Sequence, residues 1–140
     1  MDTSPEYMKM CEKAEEIQKE WNNKIPIEKH KSVIYDPKSK QVYEPTIFGE
    51  SVSSTIPVNC IWLPRQDQLQ EIFGKESSLA LLERFKSWID DNCTEEKAPW
   101  FYKEQYKGWS LEQLWLVFVM KKKYGKIWNP TRKEWEASFE

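Results

Sequence analysis

The stretch Trp109-Ser-Leu-Glu-Gln-Leu-Trp-Leu-Val-Phe-Val-Met-Lys-Lys-Lys-Tyr-Gly125 specifies one helix and both of its ends. Ser110 is a favourable N-cap whose hydroxyl can accept the amide of Gln113, and the Gln113 side chain can complete a capping box. Gly125 supplies the left-handed residue that ends a helix. Residues 114–120 are apolar on every face, so this helix must be surrounded by other parts of the chain. We expect it to be the centre of the core.

Periodicity and turn residues predict the other elements. Ser4-Pro5 begins an N-terminal helix over 4–22, because a cap followed by proline is favoured at a helix start and apolar residues then recur at helical spacing. Short stretches with strand-forming residues, 32–35 and 41–44, lie on both sides of the turn-forming Asp36-Pro-Lys-Ser-Lys40 and predict a hairpin within a β region at 32–63. Further helices are predicted at 65–73, 78–91 and 111–124, and a turn flanked by two tryptophans at 128–135.

These elements predict a single α+β domain over residues 1–140, with no linker or internal repeat. A small antiparallel β-sheet should pack against a helical layer around the buried helix at 111–124. In the helix at 78–91, five apolar residues are expected to form one face toward the core: Leu81, Leu82, Phe85, Trp88 and Ile89.

Composition favours a cytoplasmic protein with no membrane partner. The net charge is −2, so there is no global basic field for nucleic-acid binding, although acids prevail over 67–96 and bases over 97–133. The three cysteines form no Cys-x-x-Cys pair, which indicates reduced thiols. The apolar run at 114–120 is far shorter than the ~20 residues that cross a bilayer, and no signal-peptide core precedes it.

The sequence predicts a non-enzymatic protein without a cofactor. Catalysis by a serine or cysteine nucleophile needs an imidazole, and the one histidine, His30, lies between two lysines in a polar stretch. One histidine and three separated cysteines do not give the ligand spacing of a zinc site. Four glycines form no phosphate-binding loop.

A cluster of acids is the candidate for a metal site. Asp90, Asp91, Glu95 and Glu96 follow one another at the C-terminal end of a helix, where the dipole disfavours negative charge. Hard cations prefer such oxygens, so a metal-dependent enzyme remains an alternative. The other interpretation, a solvated acidic turn beside lysines, predicts no metal.

Two groups of residues are candidates for ligand binding. Cations and aromatic rings alternate around 97–109 in a pattern that stacks bases and neutralises phosphate; the candidates there are Trp100, Tyr102, Lys103, Tyr106, Lys107 and Trp109. Alternatively, these rings fold the segment onto the long helices.

The second group is Arg65, Gln66 and Gln68, at the start of the helix predicted at 65–73. The Arg65 guanidinium can hold a carboxylate or phosphate in a fork, beside free amides of the helix. The alternative is a capping network in which Asp67 faces the helix dipole and Arg65 reaches a neighbouring carbonyl.

Three blocks of sequence carry a resemblance to known proteins. They are Tyr7-Met-Lys-Met-Cys-Glu-Lys-Ala-Glu-Glu-Ile-Gln18, Trp62-Leu-Pro-Arg-Gln-Asp-Gln-Leu-Gln70 and Ser110-Leu-Glu-Gln-Leu-Trp-Leu-Val-Phe-Val-Met-Lys-Lys-Lys-Tyr-Gly-Lys-Ile-Trp128. They resemble a group of small, uncharacterised proteins of bacteriophages and prophages, chiefly of Firmicutes. The segments at 24–57 and 93–108 depart from that group. The resemblance implies a phage accessory gene and no catalytic residue.

Two functions from different classes follow. The first is a phage or mobile-element accessory protein that binds a host protein, acting against or upon a host factor as a counter-defence protein would. The second is binding or sequestration of a nucleotide or single-stranded nucleic acid by the residues around 97–109, with Arg65 on phosphate. The sequence leaves the partner and the oligomeric state open.

Overall fold

The computed structural model describes residues 1–24, 31–44, 59–74, 76–92 and 108–138. They form two compact units, one made of Met1 and residues 3–65 and the other of Asp2 and the residues from Gln66 onward. Helices and antiparallel strands are found in both units, so the predicted α+β class is confirmed. The prediction of a single domain stays a prediction.

The first unit combines two helices with a three-stranded antiparallel sheet. Its elements are α1 (Pro5–Lys13), α2 (Glu15–Asn22), β1 (Val33–Asp36), β2 (Gln41–Tyr43) and β3 (Ile61–Leu63). The strand order is β2-β1-β3, and Tyr35 of β1 is paired with Val42 on one side and Ile61 on the other. Both α1 and α2 contact β3, so the core of this unit lies between the helices and that strand.

The second unit is organised around the helix that the sequence specified. Its elements are α3 (Gln66–Glu71), α4 (Ser78–Asn92), α5 (Leu111–Tyr124), β4 (Lys126–Asn129) and β5 (Glu134–Ala137). The predicted capping box is present, because the Ser110 hydroxyl accepts the Gln113 amide at 3.1 Å and the Gln113 side chain accepts the Ser110 amide at 2.9 Å. Gly125 ends α5 at φ +65°. Residues 115–120 are all buried, which confirms the central helix.

Aromatic rings hold α4 against α5. Phe85 of α4 stacks on Trp115 of α5 with ring centroids 4.0 Å apart and planes 8° from parallel. The Phe118 ring meets the edges or tilted faces of Phe73, Phe85, Trp88 and Trp115. Such ring pairs stabilise a fold by more than the burial of their apolar area alone, and Phe118 makes four of them, so it is the central packing residue of this unit.

The prediction of one N-terminal helix over 4–22 is wrong in one respect, because two helices occupy that range. Ser4 caps α1 through the Tyr7 amide, with proline in the first turn as expected. At Ala14 the backbone leaves the helical region, with φ −85° and ψ +76°, and α2 begins at the next residue. Local sequence does not explain this interruption, since alanine has the highest helix propensity.

The turn predicted at 128–135 is the loop of a second hairpin that the sequence analysis missed. β4 and β5 pair in antiparallel register, with Trp128 opposite Trp135 and their ring centroids 5.1 Å apart. β4 also contacts α5. Because the two tryptophans are directly opposed across the strands, they form the kind of cross-strand pair that stabilises a hairpin.

Both hairpins have the same loop. Asp36 and Asn129 each cap their turn with a side-chain oxygen that accepts an amide two residues later, at 2.9 Å in both cases. Proline follows each of these two residues. The lysine four positions after Asp36 or Asn129, which is Lys40 or Lys133, takes a left-handed conformation and donates its amide to the carbonyl oxygen of Asp36 or Asn129. The pattern Asx-Pro-x-x-Lys therefore marks both turns.

Glycine at the left-handed lysines should stabilise the protein. Lys40 and Lys133 have φ of +58° and +57°, a conformation that costs a side-chain-bearing residue about 1–2 kcal/mol, partly offset by the entropy that glycine loses on folding. We expect Lys40→Gly and Lys133→Gly each to raise the free energy of unfolding by about 0.5–1 kcal/mol, measured by urea unfolding. Lys122→Gly, at an exposed position within α5, should lower it by about 1 kcal/mol. A lower midpoint for both hairpin variants would contradict the turn assignment.

Two other helices agree closely with the sequence. The helix predicted at 65–73 is observed as Gln66–Glu71, and the helix predicted at 78–91 as Ser78–Asn92. The Ser77 hydroxyl accepts the Ala80 amide at 3.2 Å and so caps the longer helix. The prediction that Leu82 faces the core is wrong, because its side chain is exposed.

Candidate functional site

Helix α4 presents apolar residues on two opposite faces. Leu81, Phe85 and Trp88 recur at intervals of four and three residues and are buried, which accounts for the packing on α5. Leu79 is 70% exposed and Leu82 is 53% exposed. Because successive helical residues are about 100° apart, Leu79 lies on the side of the helix nearly opposite Leu81.

The exposed side of α4 forms a continuous stripe, which we call the outer face of α4. It consists of Leu79, Leu82, Glu83, Lys86 and Asp90, the i, i+3, i+4, i+7 and i+11 positions that share one face of a helix. All five side chains are exposed. The leucines occupy its N-terminal half and the charges follow them, so the face joins an apolar patch to a polar border.

The charges around the two leucines are partly neutralised within the chain. Lys86 and Asp90 form an ion pair at 3.1 Å, and Arg84 pairs with Glu76. Within the part of the chain that the structure describes, Glu83 forms no ion pair. The outer face therefore combines two exposed leucines with one carboxylate available to an external cation.

The sequence contained a signal for this surface that the prediction did not use. The buried stripe of α4 consists of Leu81, Phe85 and Trp88, and the same helix carries two further leucines, Leu79 and Leu82. Leu82 shares helical spacing with Phe85 and Ile89, which predicts a place on the core face, but it lies about 100° from the buried Leu81 and its side chain is exposed.

Of the ligand-binding candidates, Arg65, Gln66, Gln68 and Trp109 are described. The Arg65 guanidinium donates to the carbonyl oxygen of Lys31 at 2.9 Å. Gln68 is buried, and Gln66 and Trp109 are half-buried. Trp100, Tyr102, Lys103, Tyr106 and Lys107 lie outside the described residues, as does His30, so the nucleotide-binding site stays a prediction.

The acidic candidates are described only in part. Asp90 lies within α4 and is the partner of Lys86 in an exposed ion pair. Glu95, Glu96 and the side chain of Asp91 lie outside the described residues. Among residues 1–24, 31–44, 59–74, 76–92 and 108–138, no three His, Cys, Asp or Glu side chains are grouped so that they could hold a metal ion.

Cys60 is the half-buried thiol of the first unit, while Cys11 is fully buried. Burial raises the pKa of the Cys60 thiol, and the Asp36 carboxylate raises it further because a negative charge disfavours the thiolate. Since the thiolate is the reactive form, Cys60 should be less reactive at neutral pH than an unperturbed thiol.

Alkylation tests this electrostatic environment. In a Cys93→Ser background, Cys60 should react with iodoacetamide more slowly at pH 8 than a model thiol, and its rate should continue to rise above the pH at which the model thiol levels off. Asp36→Asn should increase the rate and preserve the turn, because Asn129 fills the same role in the other hairpin. Glu44→Gln is the charge-matched control, and an equal increase there would contradict the role of Asp36.

Comparisons with known proteins give no relative. No protein-family model, no curated protein and no solved structure matches the chain. Within the described ranges, no helix combines the length and the apolar character required to cross a membrane.

Proposed function

We propose that this chain is a non-enzymatic accessory protein of a phage or mobile element that binds a host protein, and that the outer face of α4 makes the contact. The observation that supports it most is the exposure of Leu79 and Leu82, at 70% and 53%, on a helix whose opposite face already fills the core. Exposed apolar side chains bordered by polar ones are a known feature of protein–protein contact surfaces. The phage context comes from the resemblance of the three sequence blocks.

The surface suits a partner that offers an apolar groove. Two leucines at i and i+3 are the anchor spacing with which a helix enters such a groove. Burying a leucine side chain contributes about 1.5–3 kcal/mol, so the pair can supply a substantial part of a binding energy. A basic side chain at the border of the groove would complement Glu83, because Lys86 and Arg84 are already paired within the chain.

Capture from a Firmicutes host lysate tests the proposal. The immobilised chain should retain a host protein, and Leu79→Ser with Leu82→Ser should weaken that binding by about tenfold or more, because both apolar contacts are lost. Leu111→Ser is the matched control, since Leu111 is 50% exposed at the start of another helix. Thermal unfolding should be nearly unchanged in both variants, because all three leucines are exposed.

Two outcomes would contradict the proposal. One is a wild-type chain that retains no host protein. The other is a host protein that the double variant retains as firmly as the wild type and the Leu111 variant do. Mass spectrometry of small molecules that co-purify with the chain, run on the same samples, addresses the nucleotide alternative.

A further inference from the structure

The interruption between α1 and α2 runs against the preference of its own sequence. Ala14 is the residue at the break, and alanine is both the best helix former and a poor N-cap. Its side chain offers no hydrogen bond to the first amides of α2. Left to local forces, residues 5–22 should therefore form one continuous helix, as the sequence analysis predicted.

Gln18 supplies the contacts that oppose this preference. Its side-chain amide donates to the carbonyl of Cys11 at 3.0 Å and to the carbonyl of Trp62 at 3.1 Å, and its side-chain oxygen accepts the Trp62 amide at 2.9 Å. In a continuous helix the Cys11 carbonyl would instead accept the amide of Glu15. Gln18 thus links β3 to the carbonyl at which the helix is interrupted.

A second contact explains why a straight helix would not fit. The Tyr7 hydroxyl of α1 donates to the carbonyl of Pro64, the residue after β3, at 2.6 Å, whereas Gln18 of α2 bonds Trp62 in the middle of that strand. Tyr7 and Gln18 would lie on nearly the same face of a continuous helix, about 16 Å apart along its axis. Their two backbone partners are only two strand residues apart, about 7 Å. A bend at Ala14 shortens the separation and lets both side chains reach β3.

We propose that residues 5–22 are a two-state element, bent at Ala14 while Gln18 is bonded to β3 and continuous when those bonds are lost. One Gln18 hydrogen bond goes to the Cys11 carbonyl, which also accepts the Ala14 amide, and two go to the Trp62 backbone, so together they offset the helical hydrogen bonds that the break gives up. The docking of β3 is thereby coupled to the shape of the N-terminal helices. This inference does not depend on the proposed function.

The 13Cα chemical shift of Ala14 in the full-length chain reports the state of the break. It should move from a non-helical to a helical value in Gln18→Ala. Tyr7→Phe is the matched control. It removes the hydrogen bond from Tyr7 to the Pro64 carbonyl and leaves the bond from Gln18 to the Cys11 carbonyl in place, so Ala14 should keep its non-helical shift. A folded Gln18→Ala variant in which Ala14 keeps the wild-type shift would overturn the proposal.

A second measurement applies if Gln18→Ala does not fold. Ala14→Gly disfavours the continuous helix, since glycine is the poorer helix former, and leaves every bond of Gln18 in place. Exchange of the Trp62 amide with solvent requires its hydrogen bond to the Gln18 side chain to break, and this exchange should become about fivefold slower. Amides of α5 in the other unit serve as the control and should exchange at the wild-type rate. An unchanged or faster exchange of the Trp62 amide would overturn the proposal.

Discussion

Phe118→Ala should lower the free energy of unfolding by about 3–5 kcal/mol, the range for large aromatic truncations in a core. Phe118 is fully buried, and four aromatic rings surround it with centroids 5.3–5.6 Å away. Alanine would leave a cavity lined by the rings of α4 and α5 and by Phe73 just after α3, and close packing around it keeps these rings from filling the space. Urea unfolding followed by far-ultraviolet circular dichroism measures the loss.

Two variants calibrate that result. Phe118→Leu keeps part of the volume and loses the aromatic contacts, so we expect no more than about half of the alanine effect. Leu111→Ala changes an exposed residue of the same helix and should lie within about 0.5 kcal/mol of the wild type. If Phe118→Ala were as mild as Leu111→Ala, the second unit would not be built around α5.

The central helix could be predicted because its determinants are local. Ser110, Gln113 and Gly125 act on residues at most a few positions away, and the run at 114–120 leaves no polar side for solvent. Each of these signals refers to the chain's own neighbourhood, and the structure places every one of them as expected. The break at Ala14 has the opposite origin, because the strand that imposes it is 44 residues beyond Gln18.

The second hairpin was predictable in principle. The pattern Asx-Pro-x-x-Lys identified the loop at 36–40, and it recurs at 129–133. The strands on both sides of the second loop are only four residues long and give a weak alternating pattern, so the sequence around 128–135 indicates a turn more clearly than a hairpin. Once the repeated loop is noticed, both hairpins follow from the same chemistry of an Asx cap and a left-handed lysine.

The candidate site was less predictable than the fold. Which of two adjacent leucines faces the core depends on where α5 lies, and that is a tertiary property. The aromatic segment looked more chemically specific than Leu79 and Leu82, since stacking rings and cations suggest a ligand. An exposed leucine has no such signature in sequence, because leucine is also the commonest core residue of helices.

Trp62→Ala should also lower the free energy of unfolding by about 3–5 kcal/mol. Trp62 is fully buried in the middle of β3, opposite Ile34 of β1, and the Lys24 amino group lies 5.7 Å from the centre of its ring. Truncation removes the largest side chain at the contact of the sheet with α1 and α2. Lys24→Ala, which removes the cation near the ring, should cost no more than about 1 kcal/mol.

Trp62→Phe distinguishes the stabilisation that comes from the packing of the indole ring from the effect of its N–H group. Within the described residues the buried Nε1–H of Trp62 has no hydrogen-bond partner, and an unsatisfied buried donor costs about 1–3 kcal/mol. Phenylalanine keeps a large ring and removes that donor, so the lost packing is offset and the variant should lose less than half of what Trp62→Ala loses. Urea unfolding of the two variants side by side gives the comparison. Equal losses would mean that the N–H group is bonded after all, and that β3 depends on the polar atom of Trp62 as much as on its ring.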